Sequence, residues 1–219
     1  MLEGRRIIVT GANGALGRAV CDRAESLGAR TERLDIAFDS AADNRHALDL
    51  TDSSAVGACL AAIGDFDALF NIAGGFAMGA DAWADSEDWD AMFRINVTTL
   101  RTVLQHAVPV LLERGCGAVV NIGAYGAREG QGSMSAYVAS KSTVMRITES
   151  LAAEVRDRGV NVNAVLPTVI DTPANRAAMP EADPALWVAP ADLASVICFL
   201  GSDAARAVHG ALVPVRGLS

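Results

Sequence analysis

Nothing in the 219-residue sequence provides for a metal site or a disulfide framework. Its four cysteines, Cys21, Cys59, Cys116 and Cys198, are scattered and form no CxxC pair, so they read as reduced core residues. His46, His106 and His209 also lie far apart, with no HExxH spacing, and solvated or packed roles suit them better than metal ligation. Long hydrophobic runs are missing as well. After Arg5 and Arg6 the apolar stretch 7–9 is much too short for a signal or membrane segment, which sets the expectation of a cytoplasmic protein without a membrane partner. Basic charge is scarce: 18 Lys and Arg against 26 acids leave a formal charge of -8, a field that opposes nucleic acid. There is no internal repeat, low-complexity linker or shift in composition, so residues 1–219 are expected to form one domain.

What the sequence does have is alternation. "RRIIVTG" (5–11) reads as a buried strand, and "GALGRAVCDRAESLGA" (14–29) as a helix with Leu16, Val20, Ala24 and Leu27 on one stripe and Gly28 as its stop. The strand "ARTERLD" follows, then a helix over 53–63, the strand "DALFNIAG" and one long helix over 86–114. The strand "GAVVNIG" comes next, then a helix over 137–158 closed by Gly159, the strand "VNVNAVLP", a helix near 191–201 and the strand "GALVPVRG". Strands that are apolar on both faces and alternate with helices imply a parallel sheet covered on each side. The expected fold is α/β, a Rossmann-type doubly wound sheet of about seven strands. Residues 168–190, with Pro173, Pro180 and Pro184, are expected to form a loop or short helices over the active face.

"TGANGALG" (10–17) stands where the first strand meets the first helix, with Gly11, Gly14 and Gly17 in GxxGxxG spacing. Missing side chains let the backbone approach a pyrophosphate whose charge meets the helix N-terminus. Together with Asn13, Ala15 and Leu16 this turn is the expected cradle of a dinucleotide, and its strand–turn–helix setting argues against a plain structural turn. Asp35 ends the second strand, 24 residues after Gly11. A carboxylate there accepts both adenosine ribose hydroxyls and repels a 2′-phosphate, which favours NADH as the form of NAD used. Arg33, on the same strand face, leaves NADP open. Further on, Tyr137 and Lys141 are four residues apart on a helix and share a face. A phenol titrates near ~10, and a neighbouring ammonium is expected to lower that value and make Tyr137 a proton donor. Trp83 and Trp89 receive no role.

With these residues the chain resembles the short-chain dehydrogenases/reductases over essentially its whole length. The shared motifs are "TGANGALG", Asp49 in "LDLTD", "NIAG" (71–74), Asn96, "YVASK" (137–141) and "LPTVIDT" (166–172), in the family's order and spacing. The resemblance implies cofactor contacts from Asp49 and Leu50 near the adenine, and from Asn71, Ala73, Gly74, Pro167, Thr168, Val169 and Thr172. It implies that Lys141 also holds the nicotinamide ribose, that Asn96 joins Tyr137 and Lys141 in catalysis, and that the protein is a homodimer or homotetramer joined through its two long helices. Two departures stand out. The family's middle glycine falls at Ala15, whereas this chain has Gly14, and the family's catalytic serine, 13 residues before the tyrosine, falls at Ala124. Ser133 and Ser135 lie nearer to Tyr137 but off the motif position. Dihydropteridine reductases, a branch of the family, are similar in the "GALG" turn, in "AGGF" (73–76), in "VLPTVIDTPANRAAMPEAD" (165–183) and in having alanine for the serine.

The expected function is therefore an NAD(P)H-dependent reduction of quinonoid dihydropterin to tetrahydropterin, a small-molecule reaction with Tyr137 as proton donor. Charge arriving on a conjugated ring spreads over its nitrogens and carbonyl, so a hydroxyl fixed at one oxygen is less necessary than for a ketone. Two alternatives stand beside it. One is a reductase or dehydrogenase of another small ketone or alcohol, with water, Ser133 or Ser135 replacing the serine; the other is a dinucleotide-binding regulator with little turnover.

Overall fold

Ile7, Ile8 and Val9 are fully buried, because the strand they form has a neighbour on each side and a helical layer on each face. The computed structural model describes residues 1–39, 42–79, 81–84 and 86–218. Its strands are β1 (Arg6–Thr10), β2 (Arg30–Asp35), β3 (Arg45–Ala47), β4 (Ala68–Asn71), β5 (Gly117–Ile122), β6 (Val160–Pro167) and β7 (Leu212–Val215). They form one seven-stranded sheet in the order β3-β2-β1-β4-β5-β6-β7, with every pair parallel. Helices α1 (Ala15–Ser26) and α7 (Pro190–Leu200) close one face over Val9, Phe70 and Val120, with Ile197 of α7 packed into the same core. The other face is covered by α2 (Ser53–Ile63), α4 (Thr99–Arg114) and α5 (Ser135–Glu154), over Ile8, Leu69, Val119 and Val162. This is the single-domain doubly wound α/β fold expected from the alternation. The order reverses between β1 and β4, and the crevice at the carboxyl ends of those strands is where such sheets take ligands.

Four details differ from the sequence reading. The single helix expected over 86–114 is a short α3 (Asp88–Phe93), a π-helical turn (Arg94–Thr98) and then α4. The helix expected from 137 to 158 begins at Ser135, after Ser133 takes a left-handed conformation (φ 59°), and ends at Glu154. The chain then turns so that Gly159 passes Gly115 so closely that a Cβ would stand 2.1 Å from its carbonyl oxygen. β3 went unforeseen because it is only three residues long, tied down by His46 Nε2 at 2.9 Å from Glu32 Oε2. Finally, Cys21 and Cys198 are core residues as expected, but Cys59 is half-buried and Cys116 is exposed. Among the described residues no helix is long and apolar enough to cross a membrane, and no cluster of His, Cys, Asp and Glu is suited to a metal.

Candidate active site

The glycines of the first turn are required for different reasons. Gly11 has φ +64°, and a Cβ there would stand 2.7 Å from the Ala73 backbone, so the β1 and β4 ends meet only over a bare Cα. Gly17, one turn into α1, would place a Cβ 2.1 Å from the Gly11 carbonyl oxygen. Gly14 differs: its φ is −70°, open to any residue, and it is exposed at the N-cap with no side-chain cap on the helix. Its bareness leaves the first amides of α1 facing solvent, a geometry suited to a diphosphate. Asn13 and Ala15 flank this opening, whereas Leu16 is buried in the core and can contribute only backbone.

Asp35 stands beside that opening at the end of β2. Its carboxylate accepts the Asn13 amide at 2.9 Å and the Ala37 amide at 2.8 Å, and the Asn13 side chain donates to the Ala37 carbonyl at 3.0 Å. The acid and the glycine turn are thus one hydrogen-bonded unit. Arg33 is committed elsewhere: its guanidinium pairs with Glu25 of α1 at 2.8 Å and reaches Asp22 at 3.9 Å. Asp49 is exposed, and the Thr51 amide and hydroxyl, each at 2.8 Å, hold its carboxyl below the ordinary carboxylate range. Leu50 is buried against the α2 side of the core.

Across the crevice lies a tighter cluster. Lys141 is 5% exposed, donates to the Ile122 carbonyl at 2.9 Å, and is pulled down to about 8 by burial. Asn96, held inward by the π-helical turn, accepts the Gly75 amide at 2.9 Å and donates to the Gly75 carbonyl at 3.1 Å and to Ser140 Oγ at 3.0 Å. Ser140 in turn donates to the Tyr137 carbonyl at 2.8 Å. A Cβ on Gly74 would be 2.8 Å from Asn96 Oδ1 and 3.1 Å from Lys141 Nζ, so the loop after β4 passes directly over both polar groups. That loop also carries Phe76, whose ring meets Tyr137 edge-on at 4.8 Å. Ser140 and Phe76 lie inside the YVASK and AGGF motifs, but sequence reasoning assigned neither a role.

The expected lowering of the Tyr137 phenol by Lys141 is corrected. Burial dominates and pushes the phenol up to about 12, while the ammonium is turned to the Ile122 carbonyl. Ala124 is 5% exposed and packs with Val138, Met145 and Leu166, so no hydroxyl stands at that place. Ser135 is two residues from Tyr137 on α5 and therefore off its face. Ser133 is exposed, with its carbonyl bound by the Gly79 amide at 2.9 Å.

The remaining sequence candidates divide between sheet and crevice edge. Asn71 is buried in the sheet, donating to Asn121 Oδ1 at 2.9 Å with its own Oδ1 unpartnered, and so belongs to the support beneath the crevice. Ala73 is fixed by its amide donating to Thr10 Oγ1 at 3.2 Å. Pro167 is buried at the end of β6, and Thr168 and Val169 follow it at the sheet edge. Thr172 caps α6 (Pro173–Ala178) by accepting the Asn175 amide at 3.2 Å. The 168–190 segment is, as expected, short helices and turns, closed by an Ile170–Val188 bridge.

The comparisons with known proteins agree with this geometry. The family model described as short chain dehydrogenase matches residues 5–183. D-threitol dehydrogenase of Mycolicibacterium smegmatis is 30% identical over 99% of this chain and 93% of its own length. 2-Keto-3-deoxy-L-fuconate dehydrogenase of Xanthomonas campestris is 32% identical over 78% of this chain, a match spanning 60% of that protein. Among solved structures, a protein provisionally assigned as an NAD(P)-dependent gluconate 5-dehydrogenase from Beutenbergia cavernae, with NADP bound at low occupancy, superposes with a TM-score of 0.87 at 29% identity, over 99% of this chain and 96% of that one.

Proposed function

The chain belongs to the short-chain dehydrogenase family and is an NAD(P)-dependent oxidoreductase, and from that premise we propose that Tyr137 is the proton donor in its reaction with a small molecule. The observation that carries the reading is the pairing of a phenol that stays protonated at neutral pH with a buried ammonium one helical turn away, both under the loop after β4. Lys141 spends one N–H on Ile122 and keeps its others for ribose hydroxyls. Asn96 fixes the height of the loop above it, and Tyr137 presents its proton to the substrate atom that gains charge.

The residues fit a dinucleotide: a bare Gly11, an uncapped α1 and the Asp35 carboxylate stand in line along the crevice. Gly11, Asn13, Gly14, Ala15 and Gly17 would hold the diphosphate, Asp35 the adenosine ribose, and Asp49 with the Leu50 backbone the adenine. Ala73, Gly74 and the Pro167, Thr168, Val169 and Thr172 edge would line the nicotinamide half. When bound, the nicotinamide supplies or accepts the hydride. NADH is the preferred form, because Asp35 repels a 2′-phosphate and Arg33 is engaged by Glu25. Fluorescence titration with both reduced cofactors checks this, and tighter NADPH binding would overturn it.

For the substrate, the first reading is a delocalised heterocycle of the quinonoid dihydropterin type, supported by Ala124 in place of a hydroxyl. The second, another small alcohol or ketone, draws on D-threitol dehydrogenase, whose likeness runs over almost the whole chain. Steady-state assays with quinonoid dihydropterin against a panel of ketones separate the two. In either case Tyr137→Phe is expected to lose ~100- to 10,000-fold in turnover with cofactor binding intact. A variant at full rate would mean that another group supplies the proton.

A further inference from the structure

Tyr137 is aimed by packing rather than by a polar partner: among the described residues no hydrogen bond reaches its phenol oxygen. What meets the ring is Phe76, centroid to centroid at 4.8 Å with 79° between the two planes. Phe76 is itself 56% exposed, so burial of its own surface does not account for where it stands. The segment that carries it is tied down at both ends. Gly75 exchanges hydrogen bonds with the Asn96 side chain at 2.9 and 3.1 Å, and a Cβ on it would stand 3.0 Å from the Ile95 side chain. At the far end the Gly79 amide donates to the Ser133 carbonyl at 2.9 Å, two residues before α5 begins.

These contacts close a ring. Asn96 donates to Ser140 Oγ at 3.0 Å, Ser140 donates to the Tyr137 carbonyl at 2.8 Å, and the phenol of that tyrosine returns to Phe76, the residue after Gly75. Backbone and ring of Tyr137 are thus both referred to one buried side chain, Asn96. An edge-to-face pair has a preferred geometry, so a fixed Phe76 restricts how the phenol can turn. It also covers one side of the phenol against water, the solvent that stabilises a phenolate. The ionisable groups on the elements around this cluster are Lys141 on α5, Tyr125 and Arg128 of the 3-10 turn (Tyr125–Arg128) after β5, Arg216 beyond β7, Asp88 and Asp90 of α3, and Arg94 of the π-helical turn. Residues 74–79 bring none. Burial, and none of these charges, holds the phenol up at about 12.

We propose that Phe76 is a positioning residue for the proton donor: set in place by Asn96 and Ser133, its ring fixes the direction of the Tyr137 phenol and keeps water from one side of it. The inference rests on the reading of Tyr137 as proton donor, and not on which substrate is reduced.

The chain has only two tyrosines, so in a Tyr125→Phe background the ultraviolet absorbance of tyrosinate reports Tyr137 alone. At about pH 10 an ordinary phenol is half ionised. With Phe76 in place Tyr137 is expected to stay almost wholly protonated there, and Phe76→Ala to raise its ionised fraction about tenfold or more. Phe76→Leu, which returns apolar cover without the ring, should recover part of the difference. Circular dichroism at the same pH keeps the comparison to folded protein. Should Tyr125→Phe fail to fold, the two-tyrosine protein serves, with Tyr137→Phe identifying which step is lost. An ionised fraction unchanged in Phe76→Ala, or no recovery in Phe76→Leu, would overturn the proposal. The titration needs neither cofactor nor substrate, so its failure removes the positioning role alone, whereas full turnover in Tyr137→Phe sinks the proton-donor reading whatever the titration shows.

Discussion

Lys141 is the only lysine in the chain, which makes its titration directly readable. Burial lowers it to about 8 in the folded protein against an ordinary 10.5, so the unfolded chain binds more protons between those values. Stability should therefore rise with pH across that window as the buried ammonium is neutralised. Lys141→Met removes the cost. The variant is expected to exceed the wild type by up to about 3 kcal/mol at pH 7, with the gap closing toward pH 10.5. Denaturant unfolding at several pH values measures the gap, and one isotope-labelled lysine resonance in the wild type checks the value itself. A resonance that titrates near 10 would contradict the burial argument. Ala124 offers a second test at this scale. Its neighbours Val138, Met145 and Leu166 give a new hydroxyl no partner, so Ala124→Ser should cost about 1–3 kcal/mol of stability unless substrate charge receives the O–H. The gain should then appear on ketones, where charge is localised, more than on quinonoid dihydropterin. Equal gains on both would make Ala124 incidental and remove the main support for the pterin reading.

At the scale of elements, the strand–turn–helix junction lends itself to a paired comparison. Gly17→Ala puts a Cβ 2.1 Å from the Gly11 carbonyl, backbone that can yield only by shifting α1, whereas Gly14→Ala meets the same oxygen at 3.3 Å with φ already at −70°. Gly17→Ala is expected to destabilise by ~1–3 kcal/mol and to weaken NADH binding. Gly14→Ala should unfold nearly as the wild type does, and equal melting temperatures for the two variants would refute this account of the turn. The junction also illustrates which parts of the structure the sequence made legible. Gly11 and Gly17 were readable because their spacing falls between an apolar strand run and an amphipathic helix run, and β1, β4, β5 and β6 because burial on both faces leaves continuous apolar runs. β3 was not, since three residues, paired with β2 and tied by a His–Glu contact, are too few to carry periodicity. The π-helical turn at Asn96 was hidden for a related reason: it depends on where Gly75 and Ser140 lie in space. Tyr137 and Lys141 were found from their spacing, but the direction in which the phenol shifts depends on burial, a tertiary quantity, and came out reversed.

At the scale of the whole molecule, we propose that the outward face of α5 is where a second copy of the chain would pack. Thr143, Ile147, Ser150, Leu151 and Glu154 recur at helical spacing along it, with Ile147 and Leu151 half-buried in a shallow groove shared with Arg101 and Leu104 of α4. Arg146, which pairs within its own helix with Glu149 at 2.8 Å, lies toward one end of this face and Glu154 toward the other, on either side of the small Ser150. If α5 crosses its own copy antiparallel at Ser150, each Arg146 meets the partner's Glu154, and Ile147 of each copy packs near Leu151 of the other. Such a two-fold contact is self-complementary, the commonest arrangement of homo-oligomers. Light scattering at micromolar concentration should then give at least twice the 22.7 kDa of one chain. Ile147→Glu should give a folded monomer, because it puts a charge into the apolar centre of the contact. Arg146→Glu should weaken association by bringing two carboxylates together, and adding Glu154→Arg should restore it. A wild type that runs as a monomer would dismiss the contact. A double exchange that fails to recover what Arg146→Glu loses would leave an oligomer but dismiss the crossing at Ser150, since only that crossing sets residue 146 against residue 154.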